Sequence, residues 1–178
     1  MGEPDPIAEL YAEVYANPGD DQVRRVLSDA LLALGDPRGE LIMFQLERDK
    51  DYHRRAMRLV QQHGLTWLGP LRELVLPLAY ERGFLASCQL VSGATDRIDY
   101  GIPMWATVHT IDLEQLESDD LFEVTPAMRS LRTLTGLAMT RAADLTRGTP
   151  ALAARLRLVM RGDPQPMAPT ERYDEIDE

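Results

Sequence analysis

The stretch LASCQL, residues 85–90, decides the predicted fold because Leu85, Cys88 and Leu90 form the pattern apolar-x-x-apolar-x-apolar. The pattern returns about every 23 residues over the second half of the chain. Its further copies are Val108/Ile111/Leu113, Leu131/Leu134 followed by Gly136, and Ala153/Leu156/Leu158. A fixed period of roughly 20 to 50 residues is typical of repeat proteins, in which each repeat stacks on its neighbours. The spacing therefore predicts a short solenoid in which every copy supplies one strand of a shared parallel sheet.

Alternation along these strands divides each copy of the pattern into buried and presented positions. Because successive side chains of a strand point to opposite faces, positions one, four and six face the core and positions three and five face outward. The outward positions are Ser87 and Gln89, Thr110 and Asp112, Thr133 and Thr135, and Arg155 and Arg157. We interpret this concave face as a partner-binding surface that changes from neutral through one acid to two arginines. The alternative is a solvated sheet face without a partner.

The first 64 residues are predicted to be helical. Apolar residues recur with helical spacing over residues 7–15 and 23–34. A third helix is predicted over residues 40–48 and a fourth, polar one over residues 52–62. Gly35 and Gly64 are predicted helix ends, and Asp36 with Pro37 is typical of the start of the following helix. The short connection at Gly35 predicts that the second and third helices form a hairpin.

The run from Asn17 to Glu47, NPGDDQVRRVLSDALLALGDPRGELIMFQLE, resembles the bacterial repeat-companion domain, a helical module that typically stands before leucine-rich-type repeats. The family's pattern corresponds here to Asn17-Pro18, Asp29, Gly35-Asp36-Pro37-Arg38-Gly39-Glu40 and Gln45. Residues 63–85 resemble the linker by which such proteins enter their first repeat. The resemblance implies a role in protein contacts and brings no catalytic residues.

Together these patterns predict an α/β fold in which an N-terminal helical subdomain caps a short leucine-rich-repeat-like solenoid with a parallel sheet. The predicted divisions are residues 1–64 for the helical repeat-companion domain, 65–160 for the solenoid and 161–178 for an acidic, proline-containing tail.

The motif Gly35-Asp36-Pro37-Arg38-Gly39-Glu40 has a structural interpretation. Gly35, Asp36 and Pro37 are turn and capping residues. Asp29, Arg38 and Glu40 are not needed for the cap, so we expect them to form a polar cluster that locks the hairpin. Binding of an anion at the N-terminus of the third helix is the alternative.

The net charge of the chain limits the kinds of partner that we expect it to bind. The chain has 19 basic and 29 acidic side chains and a formal net charge of −10. A negative protein repels phosphate backbones and anionic headgroups, so we expect another protein as the partner, and neither nucleic acid nor a membrane. Five arginines in the last repeats are a local exception, and they are either solvated or a docking surface for an acidic segment. They are Arg141, Arg147, Arg155, Arg157 and Arg161.

Targeting patterns favour a cytoplasmic protein. The first residues, MGEPDPIAEL, place acidic side chains and no basic one ahead of an apolar run, unlike a secretory signal. No apolar stretch approaches the roughly 18 residues needed to cross a bilayer. The single cysteine fits a reducing compartment.

Cys88 and His109 come closest to a catalytic pair. Cys88 occupies an inward position and His109 an outward-leaning one, so a contact would require the side chains to cross the sheet. His53 and His63 match no zinc spacing. The sequence contains no P-loop, G-x-S-x-G, H-E-x-x-H or dinucleotide-binding pattern. We therefore expect no enzyme, no cofactor and no metal site.

The C-terminal residues 161–178 contain too little apolar surface to fold alone, and Tyr173 and Ile176 are their candidate anchors on a partner surface. The predicted function is that of a non-enzymatic adaptor or scaffold, which binds another protein through the concave repeat face and the tail. The alternative is a regulatory subunit or proteolytic substrate of a partner enzyme such as a protease, which recognises or cuts the tail.

Overall fold

The computed structural model describes residues 5–47, 50–93, 95–117, 120, 122–148, 151 and 154–162. Within these residues the fold is mixed α/β, with five α-helices and a five-stranded, mostly parallel sheet. The helices are α1 Pro6–Ala16, α2 Asp21–Ala33, α3 Pro37–Glu47, α4 Lys50–Trp67 and α5 Met139–Gly148. The strands are β1 Val75–Glu81, β2 Phe84–Leu90, β3 Thr110–Asp112, β4 Thr133–Leu137 and β5 Arg157–Met160.

Aspartates cap the first three helices, and this is why the chain begins a helix at each of these points. Asp5, Asp20 and Asp36 each accept a hydrogen bond from the backbone two residues later, at 3.0, 2.8 and 2.8 Å. The predicted cap at Asp36 is therefore confirmed. Gly35 has a φ of 72° between α2 and α3, as a helix end requires.

The predicted end of the fourth helix at Gly64 is wrong, because α4 continues through this residue to Trp67. Gly64 is buried against Tyr80 of β1, whose hydroxyl group donates a hydrogen bond of 2.7 Å to the Gly64 carbonyl oxygen. This tertiary contact offsets the low helix propensity of glycine. Burial also raises the pKa of Tyr80 to about 12.

The sheet has its strands in sequence order, β1-β2-β3-β4-β5, with β1 antiparallel to β2 and the remaining pairs parallel. The predicted parallel pairing of the repeated segments is confirmed. One row of core residues crosses the four parallel strands: Cys88, Ile111, Leu134 and Leu158. The edge strand β1 was not predicted, because its residues lie in the stretch interpreted as a linker.

The fourth copy of the pattern is displaced by two residues from its predicted register. Leu158, and not Leu156, stands beside Leu134, and Arg157 stands beside Thr133. Consequently Arg155 lies in the turn before β5 and does not belong to a strand. The displacement is possible because Leu156 and Leu158 are both apolar and Arg155 and Arg157 are both basic. The sequence pattern therefore fits either register.

Helices and sheet share their apolar interior. The larger cluster joins Leu41 and Phe44 of α3 to the core row of the sheet, and the smaller one joins Phe84 of β2 to Leu27 of α2. Helix α4 continues across the predicted domain boundary between residues 64 and 65. The division of the chain into two domains at this point stays a prediction. Among the described residues, no helix combines the length and the apolar character needed to cross a membrane.

Candidate functional site

The candidate site is the sheet face opposite the core, which we call the outer face. Strand pairing arranges its side chains in two rows that cross the strands. The first row is Ala79, Ser87, Thr110, Thr133 and Arg157, and the second is Leu76, Gln89, Asp112 and Thr135. Six of the predicted partner-binding residues therefore lie in register on this face with accessible side chains: Ser87, Gln89, Thr110, Asp112, Thr133 and Arg157.

Two predicted contact residues are not accessible members of these rows. Thr135 is only 3% exposed, although it follows the alternation from Thr133. Strand β4 is buried continuously from Leu134 to Leu137, so both sides of the sheet are covered at this end. Arg155 is exposed in the turn before β5 and adjoins the face without lying on it. Tyr173 and Ile176 lie outside the described residues.

Asp112 is the one acid in these two rows, and its carboxylate is already hydrogen-bonded. Gln89 Nε2 donates to Asp112 Oδ2 at 3.3 Å, and the backbone N–H of Glu114 donates to Asp112 Oδ1 at 2.8 Å. These bonds hold Asp112 against the sheet, so it serves as a local connection between β2, β3 and the turn that follows β3.

The β1 edge of the outer face is apolar. Leu76 is 46% exposed beside Gln89, and Leu78 is 57% exposed where the β1–β2 pairing is irregular, between Pro77 and Ala79. Leu76 and Leu78 are two residues apart on one strand, so together they make this edge of the face apolar. Sequence reasoning missed both leucines because it did not assign β1 to a strand.

The five arginines that the sequence singled out between residues 141 and 161 divide into two groups. Arg141 donates to the Glu117 carbonyl oxygen, and Arg161 donates to the carbonyl oxygens of Glu114 and Leu116, at 2.5 and 3.1 Å for the latter two. Arg147 lies 3.5 Å from the Asp144 carboxylate on α5. Only Arg155 and Arg157 of the predicted set remain without such bonds among the described residues.

His109 makes contacts with Glu81 of β1 and Thr110 of β3, and it does not form a catalytic pair with Cys88. Its Nε2 lies 3.1 Å from Glu81 Oε1, and its Nδ1 lies 3.0 Å from Thr110 Oγ1. The hydrogen bond from His109 lowers the pKa of Glu81. Cys88 faces the core, is fully buried, and has its pKa raised to about 12 by that burial.

A cleft of about 550 Å³ lies beyond the carboxyl ends of β3 and β4. Asp120 on its wall accepts hydrogen bonds of 2.8 to 3.1 Å from Glu117 N, Gly93 N, Ser92 Oγ and Thr95 Oγ1. The backbone donor at Glu117 is the main reason that the pKa of Asp120 is lowered. These bonds occupy the lone pairs of the Asp120 carboxylate, so Asp120 connects the loop after β2 to the loop after β3. In the described parts of the chain, no group of three or more His, Cys, Asp or Glu side chains could hold a metal ion.

The expected polar lock of Asp29, Arg38 and Glu40 is not the contact that holds the α2–α3 hairpin. Within the described residues, exposed Asp29 and Glu40 make no ion pair with Arg38, which is buried. The helices are joined instead by Ser28 Oγ, which donates to the Gly39 carbonyl oxygen at 2.8 Å. A Cβ at Gly39 would lie 2.8 Å from the Ser28 carbonyl oxygen, so only glycine permits this close approach.

Arg38 and Gln45 attach helix α3 to the β1–β2 turn. Arg38 Nε donates to the Gly83 carbonyl oxygen at 3.0 Å. Gln45 Oε1 accepts from Gly83 N, and Gln45 Nε2 donates to the Tyr80 carbonyl oxygen, both at 2.7 Å. The Arg38 guanidinium also lies 4.6 Å from the ring centre of Phe84. The motif residues therefore position the first strands of the sheet against the helices.

Comparison with known proteins gave no match at the level of family models, curated proteins or solved structures. The class of protein that the chain itself defines is a mixed α/β protein with an accessible sheet face. The resemblance to the repeat-companion domain stays a prediction.

Proposed function

We propose that this chain is a non-enzymatic interaction module whose outer face binds another protein. In this proposal β2 to β5 are turns of a short leucine-rich-repeat-like solenoid, and the helices are a repeat-companion domain that closes its first end. The observation that carries the proposal is the register of Ser87, Thr110, Thr133 and Arg157, which form one accessible row across four parallel strands.

The composition of this row supports protein binding. Its serine and threonine side chains are short and offer both donors and acceptors, so a partner backbone can approach the sheet closely. The outer face has exposed leucines at its β1 edge and an exposed arginine at its β5 edge, so it offers both polar and apolar contacts. Interfaces combine these two kinds of contact.

The state of Cys88 favours a role without covalent chemistry. A nucleophilic cysteine requires an accessible thiolate. Cys88 is fully buried with a pKa raised to about 12, and the imidazole of His109 is directed to Glu81 and Thr110. We extend the proposal to a cytoplasmic protein that acts on neither nucleic acid nor membranes, which its charge of −10 supports.

Site-specific photo-crosslinking tests the proposal directly. A photoreactive amino acid at Thr133 samples the centre of the outer face, and the same amino acid at exposed Arg58 on α4 is the matched control. In a bacterial host that carries the protein, we expect a discrete crosslinked partner from residue 133 and none from residue 58. Equal products from both positions, or products from residue 58 alone, would contradict the proposal.

The alternative of a regulatory subunit or proteolytic substrate depends on residues 163–178, which lie outside the described part of the chain.

A further inference from the structure

Three exposed arginines lie at or beside the β5 end of the outer face: Arg157 on β5, Arg155 in the turn before β5, and Arg132 directly before β4. The Arg157 N–H donates to the Arg132 carbonyl oxygen at 2.7 Å, so the backbones of these two arginines are adjacent. Among the described residues no carboxylate forms an ion pair with any of the three. Glu81, whose pKa Arg132 helps to lower, is hydrogen-bonded to His109.

These arginines form a local group of positive charges on a chain whose formal net charge is −10. Like charges held close together repel each other, and a carboxylate-bearing partner would relieve that repulsion. Arg132 and Arg157 also retain their planar donor groups, which match the geometry of a carboxylate. The charge at this edge therefore complements an acidic group.

The β1 edge, on the opposite side of the outer face, is apolar. Leu76 and Leu78 on β1 are 46% and 57% exposed, and their strand pairing is irregular there. Neighbouring strands lie about 4.8 Å apart, so the four spacings from β1 to β5 separate the two edges by about 19 Å. An extended chain advances about 3.3 Å per residue and covers this distance in about six residues. Between the edges the first row has only the small side chains of Ala79, Ser87, Thr110 and Thr133.

We infer that the outer face binds an extended segment of a partner protein, with acidic side chains at one end and an apolar side chain about six residues away. The acidic end pairs with Arg132, Arg155 and Arg157, and the apolar end contacts Leu76 and Leu78. This inference rests on the proposed function and specifies the partner's chemistry.

Synthetic peptides titrated against the full chain test the inference by fluorescence anisotropy. The probe is a labelled peptide with three glutamates, a six-residue Gly/Ser spacer and two leucines. The comparison peptides have glutamine for glutamate, serine for leucine, or a spacer of one residue. We expect the probe to bind about tenfold more tightly than the glutamine peptide, since three exposed ion pairs together correspond to a change of about this size. We also expect it to bind more tightly than the serine peptide and the one-residue-spacer peptide, because each of these loses the contact at one edge of the face.

Protein variants locate the site. The triple variant R132Q/R155Q/R157Q is expected to weaken probe binding about tenfold, whereas R25Q/R58Q/R72Q removes the same charge from exposed arginines elsewhere and is expected to leave it unchanged. L76S/L78S is expected to weaken the probe but not the serine comparison peptide. Thermal unfolding followed by circular dichroism checks that each variant is folded.

Four results would overturn the inference. Equal weakening by both arginine triples would indicate attraction without a site, and equal affinity for every spacer would remove the two-ended geometry. If amide substitution of the acids in residues 163–178 tightens probe binding about tenfold, the chain's own segment occupies the face in place of a partner. Crosslinking at Thr133 with a partner that lacks an acidic segment would overturn this inference and leave the proposed function intact.

Discussion

Arg38 on helix α3 donates a hydrogen bond of 3.0 Å from Nε to the backbone carbonyl oxygen of Gly83, 45 residues away in the turn between β1 and β2. This contact connects the turn motif of the helical half to the first strands of the sheet. The Arg38 side chain is only 7% exposed, and its guanidinium lies near the rings of Tyr11, Trp67 and Phe84. Its main role is therefore to position the sheet, and its predicted partners Asp29 and Glu40 do not take part.

The Arg38 contact predicts a clear difference between arginine and lysine. Lysine keeps the charge but has no Nε donor and no planar group to stack on Phe84, so R38K is expected to lower the free energy of unfolding by about 2 kcal/mol. Urea denaturation followed by circular dichroism measures this change. R58K, at an exposed position of α4, is the control, and an equal effect of both variants would contradict the prediction.

Gly83 is predicted to tolerate no side chain. Its φ is 84°, and a Cβ would lie 2.1 Å from Ile42 Cγ1. G83A is therefore expected to destabilise the protein by more than about 2 kcal/mol, since strain and steric overlap add. Gly93 has a φ of 69° and nothing within 4 Å of a Cβ, so G93A isolates the cost of the backbone conformation alone. We expect that cost to be about 1 kcal/mol by denaturation, and similar losses for the two variants would disprove the contact with Ile42.

The α2–α3 approach at Gly39 can be tested in the same way. A Cβ at Gly39 would lie 2.8 Å from both Leu32 N and the Ser28 carbonyl oxygen, and backbone atoms cannot move aside. G39A is expected to cost about 2 kcal/mol or more, despite the better helix propensity of alanine. Gly19 has open space around it and serves as the control. A gain in stability for G39A, measured by thermal unfolding, would show that the helices are further apart.

Cys88 is predicted to be inert in the folded protein. Burial raises its pKa from the usual value of 9.0 to about 12, so the folded state holds the thiol proton more tightly than the unfolded state does. This group's contribution to stability is fully present below pH 9 and is lost as the pH rises toward 12. Alkylation by iodoacetamide at pH 8 should be slow in buffer and fast in urea. Equal rates in both would contradict the burial of Cys88.

Arg24 is predicted to reduce stability instead of increasing it. It is 1% exposed, its Nε has no hydrogen-bond partner among the described residues, and burial lowers its pKa to about 10. The unfolded state binds the proton more tightly, so this cost is present at neutral pH and is relieved as the pH rises above 10. R24M keeps the contact with Phe84 and is expected to be neutral or stabilising by about 1 kcal/mol. A loss of several kcal/mol in urea denaturation, with exposed R25M unchanged, would contradict this reasoning.

The local elements could be predicted from the sequence because their causes are local. Helical spacing and the cap at Asp36 set the first three helices, and the repeated apolar pattern anticipated the pairing of Cys88 with Ile111 and of Ile111 with Leu134. The register of β5 could not be read in the same way, because Leu156 and Leu158 are both apolar and only packing distinguishes them.

The candidate surface was predicted in part. Alternation placed Ser87, Thr110 and Thr133 correctly in one row, but it gave no information about Leu76 and Leu78, whose strand forms only by pairing with β2. It also could not show which arginines are engaged, since Arg141 and Arg161 bond to carbonyl oxygens 24 to 47 residues away.

By itself, the sequence determined the helices, their caps and the parallel order of the repeated strands, because side-chain spacing and capping chemistry act over a few residues. The tertiary structure alone decided that Arg38 and Gln45 hold the Gly83 turn, that α4 passes through Gly64, and which side chains remain accessible on the outer face. These features depend on contacts between residues distant in the chain, and such contacts exist only after the helices and the sheet have packed together.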